Sequence, residues 1–149
     1  MDILNPLPAD IRCPCGTGLT FGECCKKYHD GQPAPTAETL MRSRFTAFVT
    51  GDEAYLLRTW DPDTRPGSLN LAEPFAQDTG IRFYRLDIID TKAGTPLDDT
   101  GVVEFEAFYK GAAKGSQHER STFRRLQLRE DTDGTPAPRE WVYSTGDVS

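Results

Sequence analysis

Arg12-Cys13-Pro14-Cys15-Gly16-Thr17-Gly18, a spacer from Leu19 to Glu23, and then Cys24-Cys25-Lys26 carry all four cysteines of the chain. The 124 residues after Cys25 contain none. Two pairs of thiols packed this tightly call for either a metal ion or disulfides. A Cys-X-Cys pair and an adjacent Cys-Cys pair are each too close in sequence to close an unstrained bridge internally, while crossed bridges between the pairs stay open on geometry alone. The start, Met1 to Pro6, has neither a basic stretch nor an apolar run of signal-peptide length, so the chain reads as cytoplasmic. In that compartment clustered cysteines indicate a metal site, and zinc is the expected ion.

The residues between the thiols suit a rigid loop. Pro14 fixes φ between the first two ligands, and Gly16 and Gly18 allow a sharp turn directly after them. Four thiolates around one Zn²⁺ leave a charge near −2 that Arg12, Lys26 and Lys27 offset. Cys13, Cys15, Cys24 and Cys25 would close the tetrahedron and leave no position for water or substrate, which makes the expected site structural. His29, four residues after Cys25, is the alternative ligand in a Cys3His arrangement.

Cys13-Pro14-Cys15-Gly16-Thr17-Gly18, the five-residue spacer containing Phe21, and Cys24-Cys25 resemble the SEC-C zinc motif at the C-terminus of the SecA translocation ATPase. There the last ligand is commonly histidine, and here Cys25 stands in its place. Beyond the motif, Tyr28-His29-Asp30-Gly31, Leu40-Met41-Arg42-Ser43-Arg44-Phe45, Tyr55-Leu56 and Thr59-Trp60 resemble the bacterial YchJ-like family. That resemblance implies an N-terminal SEC-C motif followed by a nuclear transport factor 2-like domain. It also implies a docking role for the zinc knuckle, because in SecA the motif contacts an export chaperone.

With 149 residues the chain suits one ordinary domain plus a small appendage. No stretch approaches the roughly 20 apolar residues of a membrane-spanning helix. A net charge of −6 argues against general nucleic-acid binding, which depends on phosphate neutralisation by Lys and Arg.

Residues 1–30 are expected to form an irregular arm, with Pro6 and Pro8 in it, and the zinc knuckle. Residues 31–149 are expected to form the second domain, with Asp30-Gly31-Gln32-Pro33-Ala34-Pro35 as linker. Thr36 caps a helix whose core face is Ala37, Leu40, Met41, Phe45, Phe48 and Val49, ending at Gly51. Arg42, Ser43 and Arg44 are read as its solvated face, the alternative being an arginine that reaches the knuckle or a buried carboxylate. Asp52 caps a second helix from Glu53 to Trp60, and Asp61 to Gly67 is a loop broken by two prolines. A short third helix is expected from Ser68 to Glu73.

Alternation then predicts four strands. The first runs from Ile81 to Thr91, with Tyr84, Leu86 and Ile88 on one face. The second, Val102 to Lys110, turns through Gly111 to Gly115 into a third, Gln117 to about Arg129. A turn-rich gap from Asp131 to Pro138 precedes the last, Glu140 to Ser144. Helices first and strands after is an α+β order. The expected architecture is a cone-shaped, curved antiparallel sheet around a long helix.

Such a cone encloses a pocket. Glu119 and Ser121 share the inward face of the third strand with Phe123, and Trp60, Asp61, Arg65 and Tyr143 are placed near the mouth. The bland reading of the aromatics is packing, and that of the carboxylates an ion pair. Neither His29 nor His118 is placed to shuttle protons, and no thiol is free. The leading expectation is a small zinc-binding protein whose knuckle docks a protein partner and whose cone is a scaffold or small-molecule holder. The alternative is an isomerase- or dehydratase-like enzyme using Asp61 or Glu119. The oligomeric state is not legible.

Overall fold

The computed structural model describes residues 8–66, 81–127 and 139–148. Three helices, α1 (Cys25–His29), α2 (Ala37–Thr50) and α3 (Glu53–Arg58), precede four strands, β1 (Ile81–Ala93), β2 (Thr100–Gly111), β3 (Gly115–Leu126) and β4 (Glu140–Val148). The strands pair antiparallel in the order β1-β2-β3-β4. The fold is α+β: a curved sheet with α2 on its inner face and the cysteine knuckle at the edge.

Capping chemistry sets the helix ends. Thr36 Oγ1 accepts from the Thr39 amide at 3.0 Å and starts α2, and Gly51 ends it in the left-handed region at φ 75°. Asp52 Oδ1 then accepts from the Tyr55 amide at 3.1 Å and starts α3. Leu40, Met41 and Phe45 of α2 belong to one core with Leu86, Val103, Phe105, Phe123 and Trp141 of the sheet. The start of α2 is fixed on the β1–β2 connection, where the Ala37 amide donates to the Gly94 carbonyl at 3.0 Å. This approach needs glycine. A Cβ on Gly101 would lie 2.5 Å from Gly94 Cα, and Gly94 itself sits at φ 77°.

Several expectations need correction. The second helix stops at Arg58, because Trp60 leaves it to bridge Tyr143 of β4. Register shifts between Phe83 and Arg85 and between Ile88 and Asp90 break the alternation of β1. Tyr84 therefore points outward, 39% exposed, while Phe83 packs against the core beside Leu86 and Ile88. Strand β1 runs on to Ala93 and β4 to Val148, each longer than its expected span. The expected helix from Ser68 to Glu73 and the gap from Asp131 to Pro138 lie outside the described residues.

The largest correction concerns α2. Ser43 and Arg44 are 0% and 3% exposed, so the expected solvated face is buried instead. The reason is a second layer. The knuckle and α3 cover the side of α2 that faces away from the sheet, and its polar residues serve as their attachment points. Arg42 Nη1 donates to the Cys15 carbonyl at 2.7 Å, Ser43 Oγ lies 2.7 Å from the Tyr55 hydroxyl, and Arg58 of α3 donates to the Tyr28 carbonyl at 3.2 Å. The linker is packed too, with Ala34 in the core and the Trp141 indole donating to the Pro35 carbonyl.

The outer strands are flanked differently. Strand β4 is bordered by residues 59–61, through Tyr143 N to Thr59 O at 2.8 Å and Asp61 N to Tyr143 O at 2.7 Å. Against β1 lies the knuckle, with Arg12, Cys13, Pro14 and Gly16 forming a shallow groove with residues 84–87.

Substitution Gly101→Ala should lower stability by about 1–3 kcal/mol, the usual range for overpacking, since the new methyl meets backbone rather than a movable side chain. Urea unfolding followed by tryptophan fluorescence would measure this, and an unchanged midpoint would show that the helix start has room to shift.

Candidate metal centre and cone pocket

The knuckle is a miniature hairpin followed by one helical turn. Arg12 bridges Thr20, the Cys13 amide donates to Leu19 O at 2.8 Å, and the Phe21 amide donates to Ile11 O at 2.8 Å. The Phe21 carbonyl then accepts from both Cys24 N and Lys26 N at 3.1 Å, and α1 begins at Cys25. Gly16 and Gly18 take φ of 90° and 91°, as the turn after the first pair requires.

These turns bring the four sulfurs within 4.8 Å of one another, all buried. Tetrahedral coordination with metal–sulfur bonds of about 2.3 Å places ligand sulfurs about 3.8 Å apart. The Cys15–Cys24 and Cys24–Cys25 separations are 3.5 and 3.9 Å. The four cysteines could hold a metal ion. Two hydroxyls support the set from outside, with Thr17 Oγ1 at 3.2 Å from Cys24 Sγ and Thr46 Oγ1 of α2 donating to Cys25 Sγ at 3.4 Å.

Thiols this close do not ionise independently. Hydrogen bonds from Cys15 and Cys25 favour a thiolate on Cys13, and the same bonds push Cys15 up to about 12 and Cys25 up as well. Without a cation Cys15 and Cys25 hold their protons; a central cation is what would let both become ligands beside Cys13.

His29 stands outside this group. Its Nε2 lies 2.8 Å from the Ser43 carbonyl, its Nδ1 is 4.0 Å from Asp52, and its ring sits between Phe21 and Tyr55. Burial lowers its pKa below 6.5, so at neutral pH the ring is uncharged and ties α1 to α2.

The second concave feature lies inside the cone, between α2 and the sheet. It is a cavity of about 220 Å³, walled mainly by Phe45, Phe48, Phe83 and Phe105, with Arg44, Trp60, Glu119 and Tyr143 supplying polar groups. Of the residues expected at this pocket, Trp60, Glu119 and Tyr143 line it. Phe123 is wholly buried in the core. Ser121 is buried behind Glu119 and donates to its Oε2 at 2.5 Å. Arg65 is exposed and donates to the Trp60 carbonyl at 3.3 and 3.1 Å. Asp61 turns away to Arg124.

The two candidate carboxylates are therefore in different situations. Asp61 accepts from Arg124 at 2.5 and 2.8 Å and from Ser144 at 2.6 Å. The Arg124 hydrogen bond holds its carboxyl well below the usual carboxylate range. Glu119 has no ion-pair partner among the described residues. Its donors are Ser121, Gln117 at 3.2 Å and the Tyr143 hydroxyl at 3.4 Å.

Sequence reasoning did not place Arg44 in the pocket. A signal was present, because Arg44 falls on the same helical stripe as Ala37, Leu40, Met41 and Phe48. Its Nη1 donates to Leu56 O and Thr59 Oγ1, both at 2.8 Å, and its guanidinium carbon lies 5.2 Å from the Trp60 ring and 4.8 Å from the Tyr143 ring. Burial lowers its pKa to about 10, which leaves it charged at neutral pH.

A family model described as YchJ, middle NTF2-like domain, matches residues 36–146. A UPF0225 protein of Corynebacterium glutamicum is 58% identical over 138 residues, covering 92% of this chain and 97% of its own length. One from Streptomyces coelicolor is 47% identical, with 91% and 94% covered. Two solved structures share the fold. The solution structure of a SEC-C motif containing protein from Rhodopseudomonas palustris superposes with a TM-score of 0.71 at 28% identity, covering 91% of this chain and 96% of that one. The crystal structure of a SEC-C motif containing protein from Psychrobacter arcticus gives 0.69 at 25% identity, covering 92% and 82%.

The Asp61–Arg124 pair makes a pH prediction with a definite sign. A carboxyl depressed below its ordinary 3.8 in the folded state contributes stability above that value and loses it as pH falls towards the folded-state value. The urea midpoint should therefore drop as pH goes from about 4 to 2, and Asp61→Asn should reduce that drop while lowering stability at pH 7. Identical acid slopes for the two proteins would contradict this role of the pair.

Proposed function

This chain belongs to the YchJ-like family and carries its SEC-C motif and NTF2-like domain, and on that premise we propose a small zinc-binding protein whose cone holds a small molecule. The observation that carries the metal half is the closed set of four buried sulfurs, which suits Zn²⁺ in a structural role with every position taken by protein. Such thiols belong in a reducing compartment, the cytoplasm. The cavity of about 220 Å³ with convergent polar groups supports the ligand-holding half.

The knuckle also presents a surface. Leu19, 49% exposed, and Ile11, 36% exposed, stand on it with Arg12, Lys26 and Lys27 nearby. We assign this face to docking a protein partner, with an apolar contact framed by acidic groups. The enzymatic reading has one specific point in its favour: Glu119 on the cavity wall has no ion-pair partner among the described residues. Three donors already hold the Glu119 carboxylate in place, an arrangement that suits ligand recognition.

Purified, reduced protein should carry about one zinc per chain by elemental analysis, and Cys24→Ser should lose most of it. Protein without metal would overturn the reading. Chelation should remove amide protection from about residue 13 to residue 30 while the strand signal in circular dichroism persists, consistent with separate units at 1–30 and 31–149. Collapse of the whole spectrum would make the two parts one cooperative unit.

The docking face has its own test. Leu19→Asp should leave zinc content unchanged and abolish pull-down of any protein captured by the wild type but not by Cys24→Ser. Equal capture by Leu19→Asp would place the contact elsewhere.

A further inference from the structure

Arg44 is a buried arginine with no carboxylate partner among the described residues. Both of its hydrogen bonds to described residues come from Nη1, so none of these residues accepts from Nε or Nη2. Buried charges are normally paired, because desolvating an ion costs several kcal/mol that a partner must offset. Aromatic rings on Trp60 and Tyr143 compensate part of this. A structural clamp between α2 and α3 accounts for Nη1 alone. The remaining donors belong to a side chain that lines the cavity, and the adjoining Trp60 has a buried indole N–H with no acceptor among the described residues. The spare donors of Arg44 and the indole N–H of Trp60, with no acceptor among the described residues, suit an oxygen acceptor supplied by a ligand in the cavity.

The other walls define the rest of the ligand. Phe45, Phe48, Phe83 and Phe105 are apolar and aromatic. A dry cavity of about 150 Å³ holds a benzene ring, and about 220 Å³ holds the ring and one polar substituent. Glu119 lines the same cavity but forms no ion pair with Arg44, and its oxygens are already engaged by Ser121, Gln117 and Tyr143. We propose that the cone pocket binds a small monocyclic aromatic carboxylate, with its carboxylate on Nε and Nη2 of Arg44 and its ring among the phenylalanines. The proposal rests on the reading of the cone as a ligand holder, and it adds the charge and size of the ligand.

The test titrates full-length, zinc-loaded protein with sodium benzoate, benzamide and benzyl alcohol, followed by Trp60 fluorescence and by the methyl resonances of Met41 and Ala107. Benzoate should bind about tenfold or more tightly than benzamide, since a hydrogen bond to a charged group is worth about 1.5–3 kcal/mol. Arg44→Lys, which keeps the charge and loses the planar fork, should weaken benzoate by a similar factor. Ala107→Leu fills the cavity without touching Arg44 and should abolish binding of all three compounds. This variant and the benzoate–benzamide comparison still decide the matter if the Arg44 variant does not fold. Equal affinity for benzoate and benzamide would overturn the role of Arg44 while leaving the cone a ligand holder. No saturable response to any of the three would overturn both.

Discussion

Helix α2 is covered on two sides, by the sheet and by the knuckle with α3, and the polarity of its sequence has to be reconciled with that burial. Nine of its fourteen residues are buried, so burial extends well beyond the stripe expected of a helix lying on a sheet. A side chain such as Ser43 or Thr46 keeps its place there only with a partner. Ser43 has the Leu40 carbonyl and the Tyr55 hydroxyl, and Thr46 has the sulfurs of Cys13 and Cys25. The knuckle is thus attached to the cone by directional contacts, and the same contacts satisfy groups that would otherwise be stranded. Attachment and satisfaction are one interaction seen from two sides.

Much of this could be read from residue order. The cysteine loop, the Thr36 cap, the apolar face of α2, the Gly111–Gly115 turn and the inward set Glu119, Ser121 and Phe123 follow from spacing, because each depends on neighbours a few positions away. What could not be read depends on distant partners or on a break in periodicity. Asp61 meets Arg124, 63 positions on, only because residues 59–61 lie along β4. The irregularity at Phe83 and Arg85 moves Tyr84 outward although the strand alternates cleanly in sequence. Arg44 shows the limit most clearly. Its position on the apolar stripe is visible in the sequence, but charge argues for solvent until the second layer over α2 is known.

The centre and the pocket share an element of structure. Arg42 and Thr46 hold the knuckle, and Arg44 and Phe45 between them face the cavity and core. Any rotation or fraying of this segment is felt at both places. Two binding events that draw on the same ordered segment help each other, since the second finds part of the ordering cost already met.

The placement of the knuckle has a further effect on the sheet. An open four-stranded sheet has two outer strands, and an outer strand offers unpaired backbone groups to any other strand that meets it. Residues 59–61 occupy this position at β4. Strand β1 is thirteen residues long, with Tyr84 and Ile89 exposed, and the cysteine loop lies against it around Leu86. A loop in that place shields part of the outer strand, so displacing it would leave that stretch of β1 open to pairing with another strand even with the core beneath intact.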